Sequence, residues 1–131
     1  MPPAQWPLRN RRPTVEVMIP HGKRRRRRRL LADPGAGSNE SNFELLLSEA
    51  DCNRSTDNSL LGQVQLGRAY SGWFNVYLIE VRIPRLGFAE AVPVVAVPRV
   101  PDGFDGIACF KFLNRFHYGN FGDTDRFGLG S

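Results

Sequence analysis

Cysteine is scarce in this chain of 131 residues, which holds only Cys52 and Cys109. The two form no Cys-x-x-Cys pair and have no histidine at metal-ligand spacing. That excludes a zinc ribbon, a thioredoxin-type redox motif and a small disulfide-stapled scaffold. They read as two buried or half-buried free thiols in a reducing, cytoplasmic setting. Histidine is equally rare. His21 lies in a turn and His117 follows an aromatic segment, and neither reads as a ligand or a base. Neither a metal nor an organic cofactor is called for. Long apolar runs are missing as well: Val92 to Val97 is short and interrupted by Pro93, so no membrane segment is expected. Met1 to Pro13 is rich in proline and arginine and has no apolar h-region, so no signal peptide is read there. The sequons at Asn39 and Asn53 therefore carry little weight. No Gly-x-Ser-x-Gly or Cys/His signature supports a serine or cysteine hydrolase.

What is present suits one compact domain. Hydrophobic residues make up 41% of the chain, including nine Phe and two Trp. Thirteen Gly and ten Pro beside Val-rich segments favour strands joined by turns over a helical bundle. Residues 1–12, with three prolines and three arginines, read as a flexible basic arm, and the domain occupies 13–131. Val15, Val17 and Ile19 alternate on one face of a first strand, and Pro20-His21-Gly22 turns the chain. Gln63–Leu66, Trp73–Ile83 and Ala91–Val97 read as further strands, the second of them covered on both faces. Phe43–Ala50 fits a short helix or a strand. Asp51–Ser59 reads as a polar surface loop, Phe110–Phe116 as a short amphipathic helix, and Gly119–Ser131 as a last extended segment. The short connections predict antiparallel pairing. The phenylalanines from Phe104 to Phe121 are expected in the core and at a dimer contact. The summed expectation is a mainly β, closed or barrel-like single lobe with one or two short helices.

Lys23 to Arg29 is an unbroken run of seven basic residues in a chain of net charge +5. It reads as a hairpin arm projecting into solvent, able to attract polyanions non-specifically. No aromatic residue is interleaved to stack bases. Gly22-Lys23 is not a phosphate loop, since Val17 and Arg24 occupy the required Gly and Ser/Thr positions. Gly35-x-Gly37 is not a dinucleotide loop, since Glu40 stands where its third glycine belongs.

The segment that points to chemistry is Leu30-Leu31-Ala32-Asp33-Pro34-Gly35-Ala36-Gly37. An apolar strand delivers one carboxylate into a glycine loop, where backbone N–H groups can approach it and favour its ionised form. Downstream lies Asp105-Gly106-Ile107-Ala108-Cys109 and an apolar helix. Over roughly Pro13 to Phe121 this order resembles the retropepsin-like aspartic peptidases. Their active-site loop reads apolar-apolar-Asp-Thr/Ser-Gly-Ala, and their second motif is apolar-apolar-Gly followed by a helix. The resemblance implies an aspartic endopeptidase of acid-protease fold acting on peptide or protein substrates. Asp33 is then the catalytic carboxylate, with Pro34, Gly35 and Ala36 in the active-site loop. Gly67, Arg68, Ala69, Tyr70, Ser71 and Gly72 form a substrate-covering flap, and Ile107, Ala108 and Cys109 the second motif. Such chemistry needs two carboxylates sharing a proton, and only one suitable loop is present, so a homodimer is implied. Pro34 replaces the family's Thr or Ser, and Cys109 replaces its Gly. These departures frame the alternative expectation, a catalytically degenerate domain that binds a peptide or polyanion.

Overall fold

The computed structural model describes residues 2–55, 59–68 and 70–131. Its strands are β1 (Ala4–Pro7), β2 (Thr14–His21), β3 (Arg24–Ala32), β4 (Leu45–Ser48), β5 (Leu60–Leu66), β6 (Gly72–Ile83), β7 (Phe88–Val97), β8 (Gly106–Ala108), β9 (His117–Gly119) and β10 (Arg126–Gly130). Two short helices, α1 (Glu49–Ser55) and α2 (Phe110–Leu113), complete it with a 3-10 turn at Pro84–Leu86. The mainly β, barrel-like architecture expected from composition is the one observed. Strands run in the order β2-β3-β8-β4-β7-β6, and β6 returns to β2 through Met18 opposite Arg82, closing a six-stranded barrel. β5 continues beyond β6 as one arm of a hairpin, and β1-β10-β9 form a separate three-stranded sheet.

Alternation builds the barrel wall. Val15, Val17 and Ile19 of β2 point inward and are at most 1% exposed, while Glu16 and Met18 face outward and are half-buried. The hairpin to β3 turns over Gly22-Lys23, with glycine in the first position at φ +61°, as favoured two-residue turns require. β4, β7 and β8 are different. Leu45, Leu47, Val92 and Val94 enter the main core, whereas Leu46, Val95, Val97 and Ile107 form a second apolar cluster on the opposite face. Each such side chain contributes roughly 1.5–3 kcal/mol on burial.

Two-sided burial goes with parallel pairing, and the all-antiparallel expectation is corrected here. β3 runs parallel to β8, and β4 runs parallel to β7. The partners are joined not by turns but by the intervening barrel, so connection length between neighbours in sequence said nothing about them. β6 was expected to be covered on both faces, yet Trp73 is 64% exposed. That end of β6 belongs to the projecting hairpin.

Three further expectations are revised. The arm at 1–12 is docked: β1 pairs with β10, Ala4 and Trp6 are buried, and the Arg85 guanidinium lies 5.9 Å from the Trp6 ring. Two apolar residues at period two outweigh the prolines and arginines around them. The polar stretch after Ala50 begins as helix α1, capped where the Asp51 N–H donates to Ser48 Oγ at 3.1 Å. Its Asp51, Cys52 and Ser55 are buried against the barrel. The arginine run, finally, forms a hairpin with β2, as expected, but does not project into solvent on both faces, because Arg28 is largely covered.

Alternation in β3 splits the run between two faces. Arg25, Arg27 and Arg29 face outward and pair with Glu80 or Glu16. Arg28 lies opposite Val17, on the inward face. Its side chain is 11% exposed and pairs with Asp51 of α1 and, at 3.7 Å, with Asp105. Arg28 Nε has no hydrogen-bond partner among the described residues, so the guanidinium depends on Asp51 for compensation. Removing one partner of a buried pair strands the other charge. Asp51→Ala is therefore expected to lower stability by about 3 kcal/mol, while Arg26→Gln on exposed β3 changes it by less than about 0.5 kcal/mol. Urea unfolding of both variants checks this, and equal losses would refute the buried pair.

Candidate active site

Asp33 follows the three buried residues that end β3, Leu30, Leu31 and Ala32. These pair in register with Gly106, Ile107 and Ala108 of β8. The ladder runs one step further, because the Asp33 N–H donates to Ala108 O at 2.9 Å. Beyond it the chain turns at once: the Ala36 N–H donates to Asp33 O at 3.0 Å, and the Gly35 N–H donates to Asp33 Oδ1 at 3.0 Å. Asp at the first turn position and Pro at the second are favoured there, so Pro34 suits the backbone it occupies. Gly35 leaves room for the carboxylate, since a Cβ on it would lie a tight 3.2 Å from Asp33 Oδ1. Gly37 takes φ +74°, a conformation that glycine adopts without strain. The carboxylate is half-buried and fixed by its own loop.

The second motif supports this loop from below. Ala36 O accepts the Phe110 N–H at 2.9 Å, and Glu44 O accepts the Cys109 N–H at 3.0 Å. Cys109 is 1% exposed. Its thiol is pushed up to about 12, chiefly by burial, with the negative charges of Asp33 and Glu44 adding to it. Gly106 admits no substitute, because a Cβ there would sit 2.1 Å from Leu46 O.

The β5–β6 hairpin supplies the facing wall. Leu66 pairs with Gly72, and the Tyr70 N–H donates to Gly67 O at 3.3 Å across the tip. Arg68 occupies the left-handed region at φ +60°. Ala69 lies outside the described residues. Tyr70 packs on the cluster that holds Ile107 and Cys109. Burial raises the pKa of its hydroxyl, and the nearby Arg99 guanidinium opposes the rise.

Between the Asp33 loop, this hairpin and the β7–β8 loop lies a cleft of about 960 Å3. Of the residues singled out in the sequence, Asp33, Gly35, Ala36, Gly67, Arg68, Tyr70 and Ile107 line it together. Pro34, Ser71, Gly72, Ala108 and Cys109 do not: Pro34 and Ser71 are exposed, Gly72 is half-exposed where β6 leaves the hairpin tip, and Ala108 and Cys109 are buried behind the cleft. Sequence reasoning missed Arg12, Phe43, Gln65, Leu66 and the loop Arg99–Asp102, which also line it. The only available signal was that this Pro-rich loop leads directly into the second motif.

The site holds one carboxylate of suitable placement. Asp105 is engaged elsewhere, its Oδ2 accepting the Arg29 N–H at 2.9 Å, and Asp102 is an exposed residue of the cleft rim. Among the described residues, no three His, Cys, Asp or Glu side chains come together to hold a metal ion. Nor is any described helix long and apolar enough to cross a membrane. Comparison of the chain with protein-family models, curated proteins and solved structures finds no match.

Both cysteines are free and buried, and burial pushes the Cys52 thiol, like that of Cys109, up to about 12. In the unfolded chain both ionise near 9. The folded state therefore holds the proton more tightly. The stability this confers is complete below pH 9 and is lost as pH rises towards 12. A thiol-specific disulfide reagent at pH 8 is expected to titrate neither cysteine in the native protein and both in denaturant. Rapid native labelling of Cys109 would refute its burial beneath the loop.

Proposed function

We propose that this chain is one subunit of a homodimeric, retropepsin-like aspartic endopeptidase. The observation that carries the reading is the seating of Asp33. It ends a buried strand, has one carboxylate oxygen held by the Gly35 N–H, and faces a cleft walled by a β-hairpin. With one such carboxylate per chain, a second copy supplies the other. Two Asp33 side chains close together cannot both ionise, so they share a proton. The ionised member takes a proton from water, whose oxygen bonds to the scissile carbonyl carbon. The protonated member donates to the carbonyl oxygen. Collapse of the tetrahedral adduct breaks the C–N bond and passes a proton to the leaving amine, so one water is consumed per bond. Closure of the hairpin tip over the substrate would exclude bulk water.

Pro34 fits the turn but has neither a hydroxyl nor an N–H with which to brace a partner loop. That specific feature favours the second reading, a cleft that binds peptides without cutting them. Polyanion binding through the basic run has less support. Four of its seven residues already pair with carboxylates, leaving Lys23, Arg24 and Arg26 without one among the described residues. The free thiols fit a reducing compartment such as the cytoplasm.

Cleavage of a mixed peptide library at mildly acidic pH tests the proposal. Asp33→Asn is expected to lower activity at least about a thousandfold, Pro34→Thr to raise it, and activity per chain to rise with protein concentration. Cleavage by Pro34→Thr alone would mark the native chain as a binding domain. Cleavage surviving Asp33→Asn would overturn the catalytic assignment.

A further inference from the structure

Five charged residues line the cleft: Arg12, Asp33, Arg68, Arg99 and Asp102. With Asp33 reserved for the reacting centre, three arginines and one aspartate remain in the lining. The three come from separate elements. Arg12 precedes β2, Arg68 stands at the hairpin tip, and Arg99 lies in the β7–β8 loop. They thus do not form a stripe along one strand.

What sets them apart from Arg24 and Arg26, which also have no carboxylate partner among the described residues, is their place in the cleft lining. Arg25, Arg27, Arg28, Arg29, Arg82 and Arg115 all have carboxylate partners. Among the described residues, Arg12, Arg68 and Arg99 have none, and all three are exposed at the cleft. The Arg12 guanidinium is nevertheless held in place, 5.8 Å from the Phe104 ring centre. The floor beneath is apolar, with Leu31, Leu46 and Ile107. A guanidinium offers a planar fork of donors matched to a carboxylate.

We infer that the cleft selects peptides in which an apolar residue is flanked by Glu or Asp, with Arg12, Arg68 and Arg99 as the specificity-determining residues. This rests on the peptide-cleft reading above. The apolar side chain covers the Leu31–Leu46–Ile107 floor, and the flanking carboxylates meet the three guanidiniums. Peptides carrying Lys at the same places are repelled. Charge-assisted hydrogen bonds of this kind correspond to about a tenfold preference for Glu over Gln.

The test uses the full chain bearing Asp33→Asn, so that bound peptides persist, and three labelled peptides of one apolar frame flanked by Glu, Gln or Lys. Fluorescence anisotropy is expected to give about tenfold tighter binding for Glu than for Gln, with Lys weakest. Arg68→Gln with Arg99→Gln should erase the preference. Arg99→Glu should shift it towards Lys, a gain that a misfolded variant could not produce. Equal binding of all three peptides would overturn the inference and leave the peptide cleft standing. Binding of none would overturn both. A Glu preference erased by Arg24→Gln with Arg26→Gln, and untouched by the cleft variants, would assign the effect to the basic run and also overturn it.

Discussion

At Gly106, β8 is squeezed between β3 and β4 so closely that a single added carbon would meet Leu46 O at 2.1 Å. The rest of the molecule is organised around that approach. The three residues of β8 pair in parallel with the end of β3 and antiparallel with β4. They thereby join the first hairpin to the later strands and allow the barrel to close. The same pairing runs one step past Ala32, where the Asp33 N–H donates to the Ala108 carbonyl. Barrel closure and the position of the carboxylate are consequences of one packing constraint.

Charge is arranged in three ways. On the outer wall, arginines of β3 meet Glu16 and Glu80 in exposed pairs, which contribute little individually. Beneath α1, Arg28 and Asp51 are largely taken out of water together, with Asp105 as a more distant second partner of Arg28, and loss of Asp51 leaves the guanidinium poorly compensated. Beside α2, Arg115 bridges buried Glu44 and exposed Glu90, bracing the segment whose Glu44 carbonyl holds Cys109. The cleft arginines have no such partner among the described residues, and it is this together with their place in the cleft that matters to the proposed choice of substrate.

Much of the plan was legible along the chain. Period-two alternation marked β2, apolar β-branched runs marked β6 and β7, and the glycine-flanked aspartate at a strand end marked the loop. α1 carried a signal that went unread: Ser48 followed three residues later by Asp51 is a helix-capping pattern. The docking of β1 was harder to see, because Ala4 and Trp6 are the only two of its residues that are buried, and two positions do not establish a period. Parallel pairing left no local mark, since each pair joins strands separated by other elements.

The sequence by itself determined the β-rich class, the strand-end loop that carries Asp33 and the residues able to make its turn. Those depend on side-chain period and on the conformational limits of Pro and Gly, which are properties of neighbours in the chain. Only the tertiary structure decided which face each arginine takes, that Arg28 is buried while Arg26 is not, and that Arg12, Arg68 and Arg99 share one cleft with Asp33. Those outcomes depend on how barrel closure brings separate loops together at one end, and no local pattern encodes that distance.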